Sequence, residues 1–465
     1  MRVSRKVAVA VLPALVVSGA VRGALYARTS DASAPRKTSA CRDDVAAPAY
    51  RAQIKVVRPL VARMKRAFAS PGLSVAVAAA GKLVWSESCG FADVRRHARV
   101  TPRTQFRIGS VSKSLTAAAV ARLYQQGRLD VDDDVRKYVP AFPADRPRVT
   151  LRQLGGHLGG IRHYDGAETI NTRHYASVTD SLRVFIDDPL VSPPGEEFHY
   201  SSYGFNLLGA ALETAAGTSF ASAVQQAVLT PLGMKTTTVG RPPRGGTRFY
   251  EIASARRGRP APRIDLSDRY PSGGFLSTAR DLVRLGIGIT DAAFLDQRSQ
   301  TLLFTSQRTS ADEVTGYGFG FEVADGPVGA FAGHTGNVVG GTAFILIHPR
   351  TRVVVALATN IGFVTAPSPP SLAGAPQPPQ LALPFVRRVL GTRRWASTRI
   401  GSRREDARRR ARAVRAAARG PGARPRGTQG PRGARSTRRL RGLPHRPLHR
   451  LRCRSVRLLA RRARA

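Results

Sequence analysis

The residues with the clearest chemical potential are Ser110 and Lys113, which stand three positions apart in the stretch 106–116 (FRIGSVSKSLT). An apolar run with helical spacing follows directly, so the pattern predicts that Ser110 lies where an extended segment turns into a helix. Residues three apart on a helix share a face, which would put the lysine amine beside the serine hydroxyl. A serine activated by a lysine is a known nucleophile, and the helix N-terminus would favour a developing oxyanion.

The same motif has a plain structural interpretation. A serine just before an apolar helix is an ordinary N-cap, and a serine and a lysine at this spacing also arise by chance in a chain of this composition. The motif alone therefore leaves both interpretations open. If Ser110 is a nucleophile, other parts of the chain must supply a general base and residues that bind the substrate.

Two further stretches supply such residues: 194–209 (PGEEFHYSSYGFNLLG) and 333–341 (GHTGNVVGG), the second leading into a predicted strand. With them the chain resembles the serine β-lactamase and penicillin-binding-protein superfamily, specifically its class C-related branch and the LACTB-type serine hydrolases. The resemblance covers about residues 71–359. Other stretches that fit it in order and spacing are 156–164, 180–185, 231–234, 273–278 and 317–321.

The resemblance implies three catalytic roles. Ser110 is the acylated nucleophile, and Lys113 hydrogen-bonds it and helps to move its proton. Tyr200 matches the family's tyrosine that acts as general base and later as general acid. Because a phenol ordinarily titrates near pH ~10, the base role requires neighbouring cations such as Lys113 to favour the phenolate.

The resemblance also implies an oxyanion hole and a substrate-binding wall. The backbone N–H groups of Ser110 and Asn337 would hold the oxyanion, and loss of one such donor typically slows a hydrolase about 10²–10³-fold. The other residues that match the family's substrate-side motifs are Ser202, His334, Thr335 and Gly336.

Several positions depart from the family pattern. Ser202 stands where many family members have asparagine, so this chain lacks the side-chain amide that binds the substrate in those members. His334 replaces a lysine, and because imidazole is mostly neutral at pH 7, recognition of a substrate carboxylate should be weaker. Gly159 stands where LACTB-type loops usually have serine. We expect His157 and His163 to anchor loops rather than to take part in catalysis.

The elements that must position these residues indicate an α+β fold. A helix is predicted over 50–69, a hairpin over 73–79 and 82–88, and strands return near the C-terminal end. We therefore expect one antiparallel sheet built from both chain ends, an inserted and mostly helical subdomain, and the active site between them. The other predicted strands are 319–323, 338–347 and 353–358, and further helices are predicted over 203–216 and 381–390.

The domain organisation follows from shifts in composition. Residues 1–27 join a basic start to a short apolar run and predict a secretory signal peptide or an uncleaved anchor. Residues 28–49 are interpreted as a linker, and residues 50–390 as the β-lactamase-like hydrolase domain. Residues 391–465 contain 26 arginines, no lysine and two acids, and such a segment cannot bury enough apolar surface to fold.

The formal charge of +44 is therefore uneven, since the tail alone contributes +24. The tail is either an anion-binding segment or a frameshift or run-on product of a GC-rich gene. We expect no specific nucleic-acid binding. Cysteine and histidine spacings predict neither a metal site nor a cofactor. In an exported protein, Cys41 and Cys89 could pair and leave Cys453 odd.

The sequence thus predicts an exported serine hydrolase that works through an acyl-enzyme on a small peptide or ester substrate. A LACTB-like peptidase is the first expectation and an esterase the second. A D,D-carboxypeptidase or weak β-lactamase of the same fold is the alternative within the class. The non-enzymatic alternative is an anion-binding protein that acts through its arginine-rich tail. Membrane contact is expected only through an uncleaved N-terminal segment, and the sequence leaves the oligomeric state open.

Overall fold

A computed structural model describes residues 41–240, 245–254, 257–362 and 377–391. The predicted signal peptide or anchor lies outside the described residues. So does the predicted tail after residue 391.

The described residues form fourteen strands and ten helices. The strands are β1 (Cys41–Ala46), β2 (Gly72–Ala79), β3 (Lys82–Asp93), β4 (Ala98–Arg99), β5 (Phe106–Arg107), β6 (Thr238–Val239), β7 (Tyr250–Ser254), β8 (Arg257–Pro260), β9 (Phe275–Ser277), β10 (Glu322–Gly326), β11 (Gly329–Val338), β12 (Gly341–His348), β13 (Val353–Thr359) and β14 (Ile361–Gly362). The helices are α1 (Arg51–Ala67), α2 (Ser112–Gln125), α3 (Leu151–Gly155), α4 (Val178–Ser181), α5 (Ser202–Ala216), α6 (Phe220–Val224), α7 (Tyr270–Gly273), α8 (Ala279–Ile289), α9 (Gln297–Phe304) and α10 (Pro378–Val389).

The main sheet confirms the prediction that both chain ends build it. Its strand order is β1-β3-β2-β13-β12-β11-β10, with β4 paired to β3, and every pair is antiparallel. N-terminal strands thus lie directly beside C-terminal ones at the β2–β13 pair. The chain between them supplies α2 to α9, and this is the mostly helical insertion that the sequence predicts.

Side chains of the central strands alternate between two cores. On β2, Val75 and Val77 face the core that α1 and α10 cover, whereas Ala76 and Ala78 face the core that contains α2 and α8. This two-residue period is the geometry of an extended strand. Small residues on the second face let α8 lie closely against the sheet. Helix α2, which follows Ser110, packs against α5, α7 and α9 and is buried along almost its whole length.

The prediction of a linker over 28–49 is wrong for its last nine residues, 41–49. Cys41–Ala46 forms β1 at the edge of the main sheet, and residues 48–50 form a 3₁₀ turn before α1. Cys41 pairs with Cys89 of β3 in the ladder and is joined to it by a disulfide, as the cysteine count suggested. The folded domain therefore includes at least residue 41 onward.

Two predicted strands also differ at their ends. The expected strand over 319–323 begins only at Glu322, because Gly320 holds a φ of 75° and bends the chain. The expected strand over 338–347 is two strands, since β11 ends at Val338 and a turn with Gly340 at a φ of 79° precedes β12. Gly320 thus bends the chain before β10, and Gly340 bends it after β11, the strand that carries the substrate-side motif.

No single helix in the described part of the chain has the length and apolar composition of a membrane span. One pair of helices, Ser202–Ala216 and Phe220–Leu229, passes that test only when taken together, with a bend of 76° between them.

Candidate active site

The turn before α2 presents Ser110 to solvent. Gly109 has a φ of 50° and starts a 3₁₀ turn that runs directly into the helix. Gly109 and Val111 are buried while Ser110 is half-buried, so its hydroxyl is the accessible group of the turn. The residue that caps α2 is Val111, and no side chain caps this helix. The N-cap interpretation of Ser110 is therefore wrong.

Lys113 lies one turn further on and is fully buried. Its Nζ atom is 3.3 Å from Ser110 Oγ, 3.1 Å from Ser202 Oγ and 3.1 Å from the Ser272 carbonyl oxygen. Burial lowers the pKa of Lys113 well below its ordinary value. A neutral amine has a lone pair as well as two N–H donors, so it can accept a proton from Ser110 while it donates to Ser272.

The segment that carries Ser272 is fixed from two sides. The Ser272 hydroxyl donates to Asn206 Oδ1 of α5 at 3.0 Å. The Thr116 hydroxyl of α2 donates to the Pro271 carbonyl oxygen at 2.7 Å. Both partners are buried, and these contacts hold the carbonyl that orients the lysine amine.

Tyr200 lies beside the serine–lysine pair, close enough for the Ser110 hydroxyl to act on the pKa of its phenol. Lys113 Nζ lies 4.7 Å from the centre of the Tyr200 ring, over its face. Part of the Tyr200 side chain remains accessible, yet burial around the phenol raises its pKa above the ordinary value, and Glu322 also acts in that direction. The expectation that nearby cations favour a phenolate is therefore wrong: the pKa of Tyr200 is raised, and burial disfavours the charged form of Lys113.

Two histidines hold the loop that carries Tyr200 and Ser202, as the sequence predicted. The backbone N–H of Ser201 donates to His157 Nδ1 at 3.0 Å, and that of Ser202 donates to His163 Nδ1 at 3.0 Å. Both rings accept, so both must be neutral at these nitrogens. Burial lowers the pKa of His157 well below its usual range and that of His163 to about 3.

His334 is neutral as well, which agrees with the sequence interpretation. Its Nδ1 contacts the Thr335 carbonyl oxygen, which can only accept, so Nδ1 carries the proton. Its Nε2 then accepts from the Tyr317 hydroxyl at 2.9 Å. Burial lowers the pKa of His334 to about 3. The position that holds lysine in many family members therefore contributes no positive charge.

Glycines let β11 approach the nucleophile turn. A Cβ atom on Gly336 would overlap the Ile108 carbonyl oxygen and would lie 2.9 Å from the Ser110 backbone nitrogen. A Cβ atom on Gly109 would lie 2.8 Å from the Asn337 backbone nitrogen. The backbone nitrogens of Ser110 and Asn337 thus belong to two segments in direct contact, which is the placement an oxyanion hole needs.

The structure brings all eight predicted site residues together. The 3₁₀ turn and α2 carry Ser110 and Lys113, the loop before α5 carries Tyr200, and the first residue of α5 is Ser202. The buried ring of His334 takes part in the cluster, Thr335 is half-buried and the Asn337 side chain is exposed. Strand β11 positions four of the residues: His334, Thr335, Gly336 and Asn337.

Sequence reasoning missed three contributors to the site. Tyr317 fixes the His334 tautomer, the Ser272 carbonyl orients Lys113, and the Glu322 carboxylate contributes to the raised pKa of Tyr200. Tyr317 stands in a stretch that fits the family pattern, but nothing in its spacing indicates a contact with His334. Ser272 acts through its backbone, and the type of a residue carries no signal for that.

Comparisons with known proteins agree with this geometry. A family model described as Beta-lactamase matches residues 57–369. The chain is similar to the serine beta-lactamase-like protein LACTB, mitochondrial, of Bos taurus, with 28% identity over 65% of this chain and 73% of the relative. It is also similar to Protein flp of Staphylococcus aureus strain N315, with 26% identity over 63% of this chain and 60% of that protein.

Among solved structures, the fold is similar to that of an octameric penicillin-binding protein homologue from Pyrococcus abyssi. That match has a TM-score of 0.60 and 25% sequence identity, and it covers 72% of this chain and 77% of the other. The family match spans more than half of the chain and contains every residue of the site described above. The chain therefore belongs to the beta-lactamase family, as a serine beta-lactamase-like hydrolase.

Proposed function

We propose that the protein is a serine hydrolase that cleaves a peptide or ester bond through an acyl-enzyme on Ser110. The observation that carries the proposal is the contact between Lys113 Nζ and Ser110 Oγ at 3.3 Å, with the lysine fully buried. A buried amine with a lowered pKa is an effective base near neutral pH. An ordinary solvated lysine would remain protonated and could not accept the serine proton.

Acylation begins when Ser110 Oγ attacks the substrate carbonyl carbon and its proton passes to Lys113 Nζ. The new negative charge on the carbonyl oxygen is held by the backbone N–H groups of Ser110 and Asn337. Because these donors are fixed before the reaction, they stabilise the tetrahedral intermediate without reorganisation. Gly109 and Gly336 allow the two backbone segments to lie this close.

The leaving group departs with a proton from Tyr200. The raised pKa keeps the phenol protonated at neutral pH, so Tyr200, which lies beside Ser110 and Lys113, has a proton to donate. Lys113 returns its proton to Tyr200, so one proton has moved from the serine to the leaving group. In deacylation a water molecule attacks the carbonyl carbon of the acyl-enzyme in place of Ser110. Its proton passes by the same route to Ser110 Oγ, which is released together with the free acid.

The substrate would lie along the exposed part of β11. An extended peptide can add to such a strand edge through backbone hydrogen bonds, which favours a LACTB-like peptidase as the first candidate. An esterase of the same site is the second. Because His334 is neutral and Ser202 replaces an amide side chain, a D,D-carboxypeptidase or a weak β-lactamase is the lesser alternative.

We also propose that the protein is exported. The basic and apolar pattern of residues 1–27 supports a signal peptide or anchor. The disulfide between Cys41 and Cys89 supports an oxidising compartment, since structural disulfides are rare in the cytosol. Export would place the hydrolase in the cell envelope or the medium.

A substrate panel on the purified full chain tests the proposed function. The panel contains p-nitrophenyl esters, peptide p-nitroanilides with L- or D-residues, and a chromogenic cephalosporin. We expect hydrolysis of at least one ester or anilide, its loss in Ser110→Ala, and its retention in Ser310→Ala, which changes an exposed serine. Hydrolysis that persists in Ser110→Ala, or activity against the cephalosporin alone, would contradict the proposal.

Salt-sensitive binding to nucleic acid or anionic vesicles with no hydrolysis would instead support the non-enzymatic alternative. Truncation after Leu390 would then remove that binding, because the anion-binding segment is the arginine-rich tail.

A further inference from the structure

Arg107 is a buried cation that stands three residues before the nucleophile. It lies on β5, the short strand that pairs with β9 and leads into the 3₁₀ turn of Ser110. Arg107 is only 7% exposed, and burial lowers its pKa to about 10 with no described carboxylate opposing the shift. A buried charge without a partner of opposite sign costs free energy of folding. Packing alone therefore does not explain an arginine at this position.

The guanidinium group of Arg107 contacts the turn that follows β11. Its Nη1 atom donates to the Val339 carbonyl oxygen at 2.7 Å, and Val339 is itself buried. The guanidinium carbon lies 4.3 Å from the centre of the Phe249 ring, which packs against the same turn at Gly340. A hydrogen bond from a charged donor is stronger than one between neutral groups. The side chain of Arg107 is therefore fixed against one carbonyl group of this turn.

This contact joins the two segments that carry the oxyanion donors. Ser110 follows Arg107 by three residues, and Asn337 precedes Val339 by two. The glycines described above let the two segments approach each other, but a glycine supplies no side chain that could hold them together. The hydrogen bond from Arg107 to Val339 is an attachment of that kind, made between the strand before the nucleophile and the end of β11.

We propose that Arg107 is a positioning residue that holds the Asn337 backbone N–H at the distance from the Ser110 N–H that an oxyanion requires. The inference rests on the proposed hydrolase function, because it assigns a residue to the oxyanion hole of that reaction. Without the guanidinium, the turn after β11 loses this attachment to β5, and the Asn337 donor moves away from Ser110. Because oxyanion donors act in the transition state, the shift should lower kcat and leave KM nearly unchanged.

Infrared spectroscopy of an acyl-enzyme tests the proposal with the full chain. The p-nitrophenyl ester of cinnamic acid, with and without a ¹³C-labelled carbonyl, acylates Ser110, and the difference spectrum gives the stretching frequency of the acyl carbonyl. Arg107→Met keeps an unbranched side chain but removes the donor and the charge. We expect a higher carbonyl frequency, because weaker hydrogen bonds to the oxygen strengthen the C=O bond. We also expect kcat for this ester to fall at least about tenfold, with KM within about twofold of its original value.

Arg122→Met is the matched control. Arg122 on α2 also donates to a backbone carbonyl oxygen, that of Phe294 at 2.5 Å, and its guanidinium carbon lies 4.8 Å from the centre of the Phe294 ring. The control should keep the carbonyl frequency and kcat, since neither contact involves β11 or the turn of Ser110. Arg107→Gln gives the same comparison if Arg107→Met fails to fold, because its neutral amide is too short to replace the guanidinium.

An unchanged carbonyl frequency in folded Arg107→Met or Arg107→Gln protein would overturn the inference, even if the activity falls, because the oxyanion donors would then be in place. Acylation of Ser110 in the unaltered protein would still support the hydrolase function in that case. An unaltered chain that forms no acyl-enzyme on Ser110 would overturn the hydrolase function and the inference together.

Discussion

At the scale of residues, the site works through burial rather than through paired charges. Lys113, His334 and His157 are each almost fully buried, and burial lowers the pKa of all three. The family pattern allowed the nucleophile and its lysine to be predicted from residue type and spacing. Protonation states could not be predicted in this way, because they depend on which groups surround a side chain in space. The phenolate expected at Tyr200 was wrong for that reason.

Replacement of Lys113 by arginine should remove the base while it keeps a cation. Lys113 must be deprotonated to act, so kcat/KM of the unaltered protein should rise with pH through a pKa below 10.5, the ordinary value for lysine. The raised pKa of Tyr200 predicts no falling limb below pH 10. Lys113→Arg should lower kcat/KM by about 10²–10⁴-fold and abolish the rising limb, since a guanidinium stays protonated.

The pH–rate profile of ester hydrolysis from pH 5 to 10 measures both effects. Lys55→Arg is the control, because Lys55 is exposed on α1, and its profile should match that of the unaltered protein. A Lys113→Arg profile that keeps the rising limb would assign the base to another group.

At the scale of elements, the site is assembled from segments far apart in the chain. The 3₁₀ turn before α2, the loop before α5, the turn at α7 and strand β11 each contribute one part. Helices α1, α2 and α5 were predictable because apolar residues at helical spacing, and glycines just after a helix ends, are local signals in the sequence. Strand β1 was not, since its sequence CRDDVA is polar. Its pairing depends on partners in β3, where Trp85 Nε1 donates to Asp43 at 3.0 Å and Ser88 Oγ donates to Asp44 at 2.6 Å.

Gly336→Ala should damage activity through the contact between β11 and the nucleophile turn. The added Cβ atom would overlap the Ile108 carbonyl oxygen, so the strand must move away from Ser110 and the two oxyanion donors must separate. We expect kcat/KM to fall at least about 10²-fold, the cost of losing one such donor. Gly166→Ala is the control, since nothing lies within 4 Å of a Cβ atom there. An active Gly336→Ala protein with unchanged kcat/KM would contradict the proposed oxyanion hole.

At the scale of the whole molecule, the sheet separates a structural core from a catalytic one. Helices α1 and α10 cover one face, and α8 covers the other, where α2 contributes to the same core and carries the site. The topology could be predicted from the sequence because strand-like runs occur at both chain ends. The first boundary of the domain could not, because the disulfide and the β1–β3 ladder join residues that are 48 positions apart.

The disulfide should stabilise the whole domain without taking part in catalysis. Closing a loop of this length is expected to contribute about 2–4 kcal/mol to the free energy of unfolding. Reduction, or the pair of changes Cys41→Ser and Cys89→Ser, should lower the melting temperature by roughly 3–5 °C while kcat/KM at 25 °C is retained. Cys453→Ser should leave the melting temperature unchanged. A melting temperature insensitive to reduction would contradict the disulfide.

The central claim, that Ser110 is a nucleophile activated by its neighbours, is tested most directly by a covalent label. The full chain is treated with a fluorophosphonate and digested, and the modified peptide is identified by mass spectrometry. We predict one phosphonyl adduct on Ser110, at least about 10²-fold slower adduct formation in Lys113→Arg, and none in Ser110→Ala. An adduct on another serine, or labelling that persists in Ser110→Ala, would contradict the account.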